Sequence, residues 1–146
     1  MRDQMQTVSI RQAEEQDAEK TAQLMAELGY PVSADFMRRK IIALSAGNGN
    51  CVYVAETGDE VVGLISFHAI PLFHESGNLG RITAMVVGDD YQRVGVGRKL
   101  IEAVESFARE QGCDRIEVTS GNHRVDAHAF YEKMGYRKSD HSRFLK

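Results

Sequence analysis

Tyr91-Gln92-Arg93-Val94-Gly95-Val96-Gly97-Arg98-Lys99-Leu100 is the stretch on which the reading of this chain turns. It follows a run rich in β-branched residues, Arg81 to Val87, closed by Gly88-Asp89-Asp90, and from Val96 it opens a segment in which Leu100, Ile101, Val104, Phe107 and Ala108 fall on one helical stripe. The order is strand, glycine-containing turn, amphipathic helix. The first turn of a helix leaves about four backbone N–H groups without partners, and the aligned peptide dipoles place about half a positive charge there. Glycine at 95 and 97 removes β-carbons that would hold an anion away from those donors. Arg93, Arg98 and Lys99 add cations at the same end, which the macrodipole disfavours by about 0.3–1 kcal/mol each unless an anion is bound. Two commoner phosphate loops fail on spacing. A Walker A loop needs Gly-Lys-Ser/Thr where Gly97-Arg98-Lys99-Leu100 stands, and a dinucleotide fingerprint needs a third glycine at the position of Leu100. For the two glycines taken alone, a tight turn that caps a core helix remains the other reading.

Working outward, Val8 to Arg11 alternates as a first strand, Asp17 stands as an N-cap before Thr21, Leu24, Met25 and Leu28, and Gly29 closes that helix. Ser33 caps a second helix carrying Met37, Ile41 and Leu44 on one face. Cys51 to Ala55 and Val61 to Ile70 read as a hairpin around Glu56-Thr57-Gly58-Asp59-Glu60. Beyond the long helix, which Gly112 ends, Arg115 to Thr119 is a strand, Asp126 caps a short helix running through Met134, and Tyr136 to Leu145 returns as one or two last strands.

With 146 residues, 42% hydrophobic and 27% charged, the chain has the profile of one ordinary domain spanning residues 1–146. The formal net charge of −3 lacks the basic footprint of a duplex-binding protein, so no nucleic-acid partner is expected. No apolar run approaches the roughly 18–20 residues of a membrane helix and Met1-Arg2-Asp3-Gln4 is too polar to begin a secretory signal, so a cytoplasmic protein with no membrane contact is expected. The two cysteines, Cys51 and Cys113, form neither a disulfide framework nor a metal-ligand spacing. The five histidines are scattered without the tighter spacing of a zinc site, and no metal is expected.

Gln92-x-x-Gly95-x-Gly97 after a strand, with the later Ala127-x-x-Phe130-Tyr131-x-x-x-Gly135-Tyr136, resembles the Gcn5-related N-acetyltransferase (GNAT) family, whose members bind acetyl-coenzyme A. The resemblance extends over nearly the whole chain. It implies an α/β (α+β) fold: a mixed, mostly antiparallel twisted sheet of six to seven strands flanked by about four helices. It also implies that backbone N–H groups of Arg93, Val94, Gly95, Val96, Gly97 and Arg98 cradle the pyrophosphate, with Gln92 supporting the loop. The pantetheine arm would lie along Arg81 to Val87, the acetyl carbonyl against a backbone N–H of Met85, Val86 or Val87. Tyr131 takes the position of the general acid toward the departing thiolate, beside Phe130. Asn122 is the candidate pantetheine contact, although it lies two residues earlier than the usual position, which Arg124 occupies. A homodimer is implied as well.

The family's common carboxylate on the strand before the glycine loop is missing, since Arg81-Ile82-Thr83-Ala84-Met85-Val86-Val87 contains no acid. An amine with pKa near 10.4 is neutral in only about 1 molecule in 2,500 at pH 7, so its proton needs an acceptor. Glu75 is the leading candidate for catalytic base, with His74 and His68 as others. Glu60 to His68, His74-Glu75, the Val125 to Tyr131 run and His141-x-Arg143-Phe144 look similar to aminoalkylphosphonate N-acetyltransferases and more distantly to aminoglycoside-modifying members. Arg81, His68 and His74 are accordingly expected to bind a small-molecule amine, a phosphonate fitting those cations better than a polycation does. A non-catalytic acyl-coenzyme A module is the alternative that the acid-free strand leaves open, and an acetyltransferase acting on aminoglycoside or protein amines is another.

Overall fold

A computed structural model describes residues 7–45, 47–119 and 125–146. Strand β1 (Val8–Gln12) pairs antiparallel with β2 (Asn50–Thr57). Between them run helices α1 (Ala18–Leu28) and α2 (Ala34–Leu44). Asp17 does not cap α1 through its side chain as expected. Its carboxylate turns back, taking two bonds from the Arg11 guanidinium at 2.8 and 2.9 Å and one from the Glu14 N–H at 2.7 Å. A planar fork on a carboxylate is the strongest bond such a junction can form, and it wins over the helix end. Gly29 closes α1 at φ +107°, and Ser33 Oγ accepts from the Phe36 N–H at 3.0 Å to start α2.

Strands β2 and β3 (Glu60–Pro71) form the expected hairpin, and β4 (Asn78–Val87) adds antiparallel to β3. β5 (Cys113–Val118) lies parallel to β4, which demands a crossover. Helix α3 (Val96–Glu110) supplies it, and α4 (Val125–Lys133) follows β5. The sheet order is β1-β2-β3-β4-β5, with α3 on one face and α1 and α2 on the other. Under α3, Ile65, Phe67, Ile82, Leu100, Ile101 and Val104 are each at most 1% exposed. The other face buries Leu24, Ile41, Val54, Leu64 and Val86.

The sheet thus has five strands rather than six to seven among the described residues. The expected return over Tyr136 to Leu145 is irregular chain. Its middle, Arg137 to Arg143, offers no apolar alternation to seat on a sheet, and Phe144 and Leu145 remain 91% and 84% exposed. No helix among the described residues is long and apolar enough to cross a membrane.

Candidate active site

The parallel β4–β5 ladder runs from Asn78–Cys113 to Ile82–Val118 and stops, while β4 continues beside β3 as far as Val87. From Thr83 to Val87 the edge of β4 turned away from β3 therefore has no strand partner among the described residues, and its outward N–H groups have no ladder acceptor. The side chains there are otherwise employed. Met85 and Val87 pack against the α3 core and Val86, 8% exposed, against the opposite one.

This fork opens onto the glycine loop. Gln92 Nε2 donates to Val87 O at 3.0 Å, tying the loop to the strand end. Arg93 and Gly95 both take left-handed backbone, at φ +67° and +93°. Left-handed turns aim successive N–H groups into one concavity, a shape that suits anions. Gly95 is the N-cap of α3 and offers no capping side chain, and the first turn contains no acid. The Lys99 N–H is already paired with Gly95 O at 3.2 Å, whereas the N–H groups of Val96, Gly97 and Arg98 precede this first intrahelical donor. Arg93, Val94 and Arg98 are exposed around these donors. The two glycines serve different needs. A β-carbon on Gly95 would meet nothing within 4 Å, so its requirement is conformational, whereas one on Gly97 would lie 3.1 Å from Phe130 Cζ.

That contact brings α4 to the helix N terminus. Phe130 and Tyr131 meet edge-to-face at 5.4 Å, and Tyr131 meets Tyr136 in the same manner at 6.2 Å, the Tyr136 hydroxyl donating to Glu105 Oε2 at 3.1 Å. Burial, with Glu105 beside it, pushes the Tyr136 phenol well above its ordinary pKa, so it stays a neutral donor that pins the end of α4 to α3. Tyr131 is half-buried within this stack. Asn122 lies outside the described residues.

The opposite face of β4 carries polar groups. A bulge in the β3–β4 pairing, where Ser66 opposes Ala84 and Phe67 opposes Ile82, leaves Thr83 without a register partner. Thr83 Oγ1 is 2.8 Å from His68 Nε2 and 3.3 Å from Ser66 Oγ, and His68 Nδ1 is 2.9 Å from Asn50 Oδ1. Arg81 sits opposite His68 in register and binds Glu117 at 2.9 Å. Burial, reinforced by Arg81, lowers the His68 pKa below its usual value and keeps the ring neutral at pH 7.

The family model for the acetyltransferase (GNAT) family matches residues 10–136. The chain belongs to the GNAT acetyltransferase family. It is 32% identical over 146 residues to an aminoalkylphosphonate N-acetyltransferase of Salmonella typhimurium, covering 99% of this chain and 94% of that one. It is 31% identical over 98 residues to human N-acetyltransferase 8, a match that takes in 66% of this chain and only 42% of the relative's length. Among solved structures, aminoglycoside N-acetyltransferase AAC(6')-Iy in complex with CoA superposes with a TM-score of 0.85 at 14% identity, over 97% of this chain and 95% of that one, a likeness of fold.

In this GNAT acetyltransferase the expected loop residues, Gln92 to Arg98, and Phe130 and Tyr131 come together around the α3 N terminus. Glu75 and His74 do not join them. Glu75 is bound to Arg115 at 2.8 Å, and Arg115 opposes Leu79, six residues from Met85 or about 20 Å along the strand. The bond from Arg115 also holds the exposed Glu75 carboxyl below the usual range, and His74 is exposed beside it at 3.4 Å. Asn50, Ser66, Thr83 and Glu117 went unnoticed in the sequence. Ser66 and His68 share a face by simple alternation, but the bulge that turns Thr83 toward them leaves no sequence signal. The thiols stand apart from the chemistry: burial pushes Cys51 up to about 12 and also raises half-buried Cys113.

Proposed function

We propose that this chain transfers the acetyl group of acetyl-coenzyme A directly to the primary amine of a small zwitterionic molecule, with aminoalkylphosphonates the favoured class. The observation that carries the reading is the fork: β4 loses its β5 partner after Ile82 and its free edge leads through the Gln92–Val87 bond to the uncapped N terminus of α3. The bound coenzyme would supply an acetyl thioester. Backbone N–H groups of Arg93 to Arg98 suit its pyrophosphate, and a free N–H among Met85, Val86 and Val87 suits the acetyl oxygen, where it would stabilise developing negative charge. The Tyr131 hydroxyl would donate a proton to the departing thiolate.

Charge balance supports a zwitterionic acceptor. Beside the fork, Arg81 is matched by Glu117, so neither sign prevails as a polycation would require. A phosphonate can take Arg81 from Glu117 while the released carboxylate meets the ammonium group. The 32% identity with the Salmonella aminoalkylphosphonate enzyme, over nearly the full length of both chains, favours the same class. A homodimer belongs to this proposal, with the outer edge of β5 as the surface for a second copy.

Acetyl-coenzyme A binding by calorimetry, followed by amine-dependent thiol release, tests the reading. Arg81→Ala should raise KM for an aminoalkylphosphonate about 10-fold or more, with a smaller effect on an uncharged amine. An equal effect on both would remove the phosphonate assignment. The alternative, a module that binds acyl-coenzyme A without turnover, rests on the absence of any acid from Arg81 to Val87. Tight coenzyme binding without thiol release for any amine would favour it.

A further inference from the structure

The acetyl-transfer reading leaves the amine's proton without an acceptor, and β4 has no carboxylate to take it. We propose that Asn50, His68 and Thr83 form a proton relay in which the Thr83 hydroxyl receives a proton from the substrate ammonium group and passes its own to His68 Nε2, Asn50 holding the ring for that task. The inference deepens the proposed function and rests on it.

Three observations carry it. The first is direction. Asn50 and His68 are register partners on β2 and β3, and the Asn50 amide nitrogen lies 3.5 Å from Gly47 O, which turns Oδ1 toward the histidine. An oxygen 2.9 Å from Nδ1 accepts, so the proton of the neutral ring sits on Nδ1 and the lone pair of Nε2 faces Thr83 at 2.8 Å. The second is the bulge. It gives β4 one residue more than β3 at this point and lays the Thr83 hydroxyl between two acceptors, Ser66 Oγ, to which it donates at 3.3 Å, and His68 Nε2 at the shorter 2.8 Å, with Ser66 Oγ itself 3.4 Å from Nε2. The third is position. Thr83 is the first residue of β4 past the end of the β5 ladder, two residues or about 7 Å along the strand from Met85, and it is exposed while His68 is half-buried. The hydroxyl thus stands at the mouth of the fork with the base behind it.

The balance is simple. The ammonium N–H bond breaks and its proton goes to Thr83 Oγ1 as the Thr83 proton goes to His68 Nε2, leaving a neutral amine and an imidazolium. The amine nitrogen forms a bond to the acetyl carbonyl carbon, the carbon–sulfur bond breaks, and the second amine proton ends on the coenzyme thiol. His68 returns the first proton to solvent. The charged groups near His68 are Arg81, opposite it on β4, and Glu117 on β5, which Arg81 binds. From β2 it meets neutral Asn50, and the helices on this face contribute apolar Met25, Leu28, Ile41 and Leu44 to the neighbouring core. Arg81 and burial both favour the neutral, proton-accepting ring. Thr83 touches the substrate, and Asn50 is a positioning residue.

The relay is tested by the pH dependence of kcat/KM with an aminoalkylphosphonate and acetyl-coenzyme A. An enzyme that deprotonates a bound ammonium shows a plateau from just above the His68 pKa to the amine pKa near 10. His68→Gln should lower kcat/KM at pH 7 by about 10²–10⁴-fold and replace the plateau with a tenfold rise per pH unit, because only amine already neutral then reacts. Asn50→Asp should move the acidic limb up by about one pH unit, since a carboxylate stabilises the imidazolium. Thr83→Ser should retain the plateau and Thr83→Val lose it. Nitrogen-15 NMR of the imidazoles should find the Nδ1–H form of His68 in the wild type. A plateau that survives His68→Gln, or an Nε2–H ring in the wild type, overturns the relay and leaves acetyl transfer standing. A wild type that binds no acetyl-coenzyme A or acetylates no amine overturns both.

Discussion

Gly97 and Phe130 are fitted to each other: a β-carbon on Gly97 would stand 3.1 Å from Phe130 Cζ, in the first turn of α3 and against α4. The N terminus proposed to hold the coenzyme pyrophosphate is thereby also the seat of the helix that carries Tyr131. Gly97→Val should displace Phe130, weaken acetyl-coenzyme A binding by about 10-fold or more and destabilise the fold by about 1–3 kcal/mol. Gly95→Val meets open space but must hold φ +93°, costing about 1–2 kcal/mol at the cap and again weakening the coenzyme. Calorimetry on the folded variants checks both, and undiminished binding in either one removes the pyrophosphate assignment.

Tyr131→Phe keeps the ring that meets Phe130 edge-to-face at 5.4 Å and Tyr136 at 6.2 Å and deletes only the hydroxyl. Turnover should fall by about 10–10³-fold with little change in coenzyme affinity. Unaltered kcat would take Tyr131 out of the mechanism.

The long amphipathic helix, the β2–β3 hairpin and the glycine loop were legible in the sequence because each is a local pattern: one helical stripe from Val96, two β-branched runs around Gly58-Asp59, two glycines at a strand-to-helix turn. What escaped reading depends on residues far apart in the chain. Asn50 and Thr83 are brought to His68 only by the β2–β3–β4 register, and the pairing of Glu75 with Arg115, away from the glycine loop, shows only in the fold. Gly97, expected from the sequence to admit a phosphate, also makes room for Phe130, and a packing partner on a later helix has no fixed spacing. The C-terminal segment misled because Tyr136 and Phe144-Leu145 mimic the ends of strands around a polar middle.

Asp17 ties the start of α1 to β1 and should govern acid stability. Burial pushes its carboxyl up, but the bonds from Arg11 and the Glu14 N–H together more than offset this and hold its pKa below the ordinary value. A carboxylate lowered on folding contributes stability above its unfolded pKa, about 4, and that contribution is lost as pH falls through the folded value. Asp17→Asn should cost about 1.5–3 kcal/mol near neutral pH and flatten the decline in stability below pH 4. Urea titrations at pH 7 and pH 3 measure this, and an equal loss at both pH values would contradict it.

The cysteines should be spectators. With Cys51 buried and its thiol pushed up to about 12, Cys51 should react slowly with a disulfide reagent at pH 8 in a Cys113→Ser background and fully once that protein is unfolded. Cys113→Ser should leave turnover unchanged, as direct transfer requires, and an acetyl-cysteine recovered by mass spectrometry during turnover would contradict that route.

The most direct test of the account is release of free thiol from acetyl-coenzyme A against aminoalkylphosphonates, aminoglycosides, polyamines and a lysine-bearing peptide, at pH 7 and pH 9, with the acetylated product weighed by mass spectrometry. The account predicts amine-dependent release, one thiol per acetylated amine, fastest with the aminoalkylphosphonates. Release that is absent for every amine, or that proceeds at the same rate without one, would contradict it.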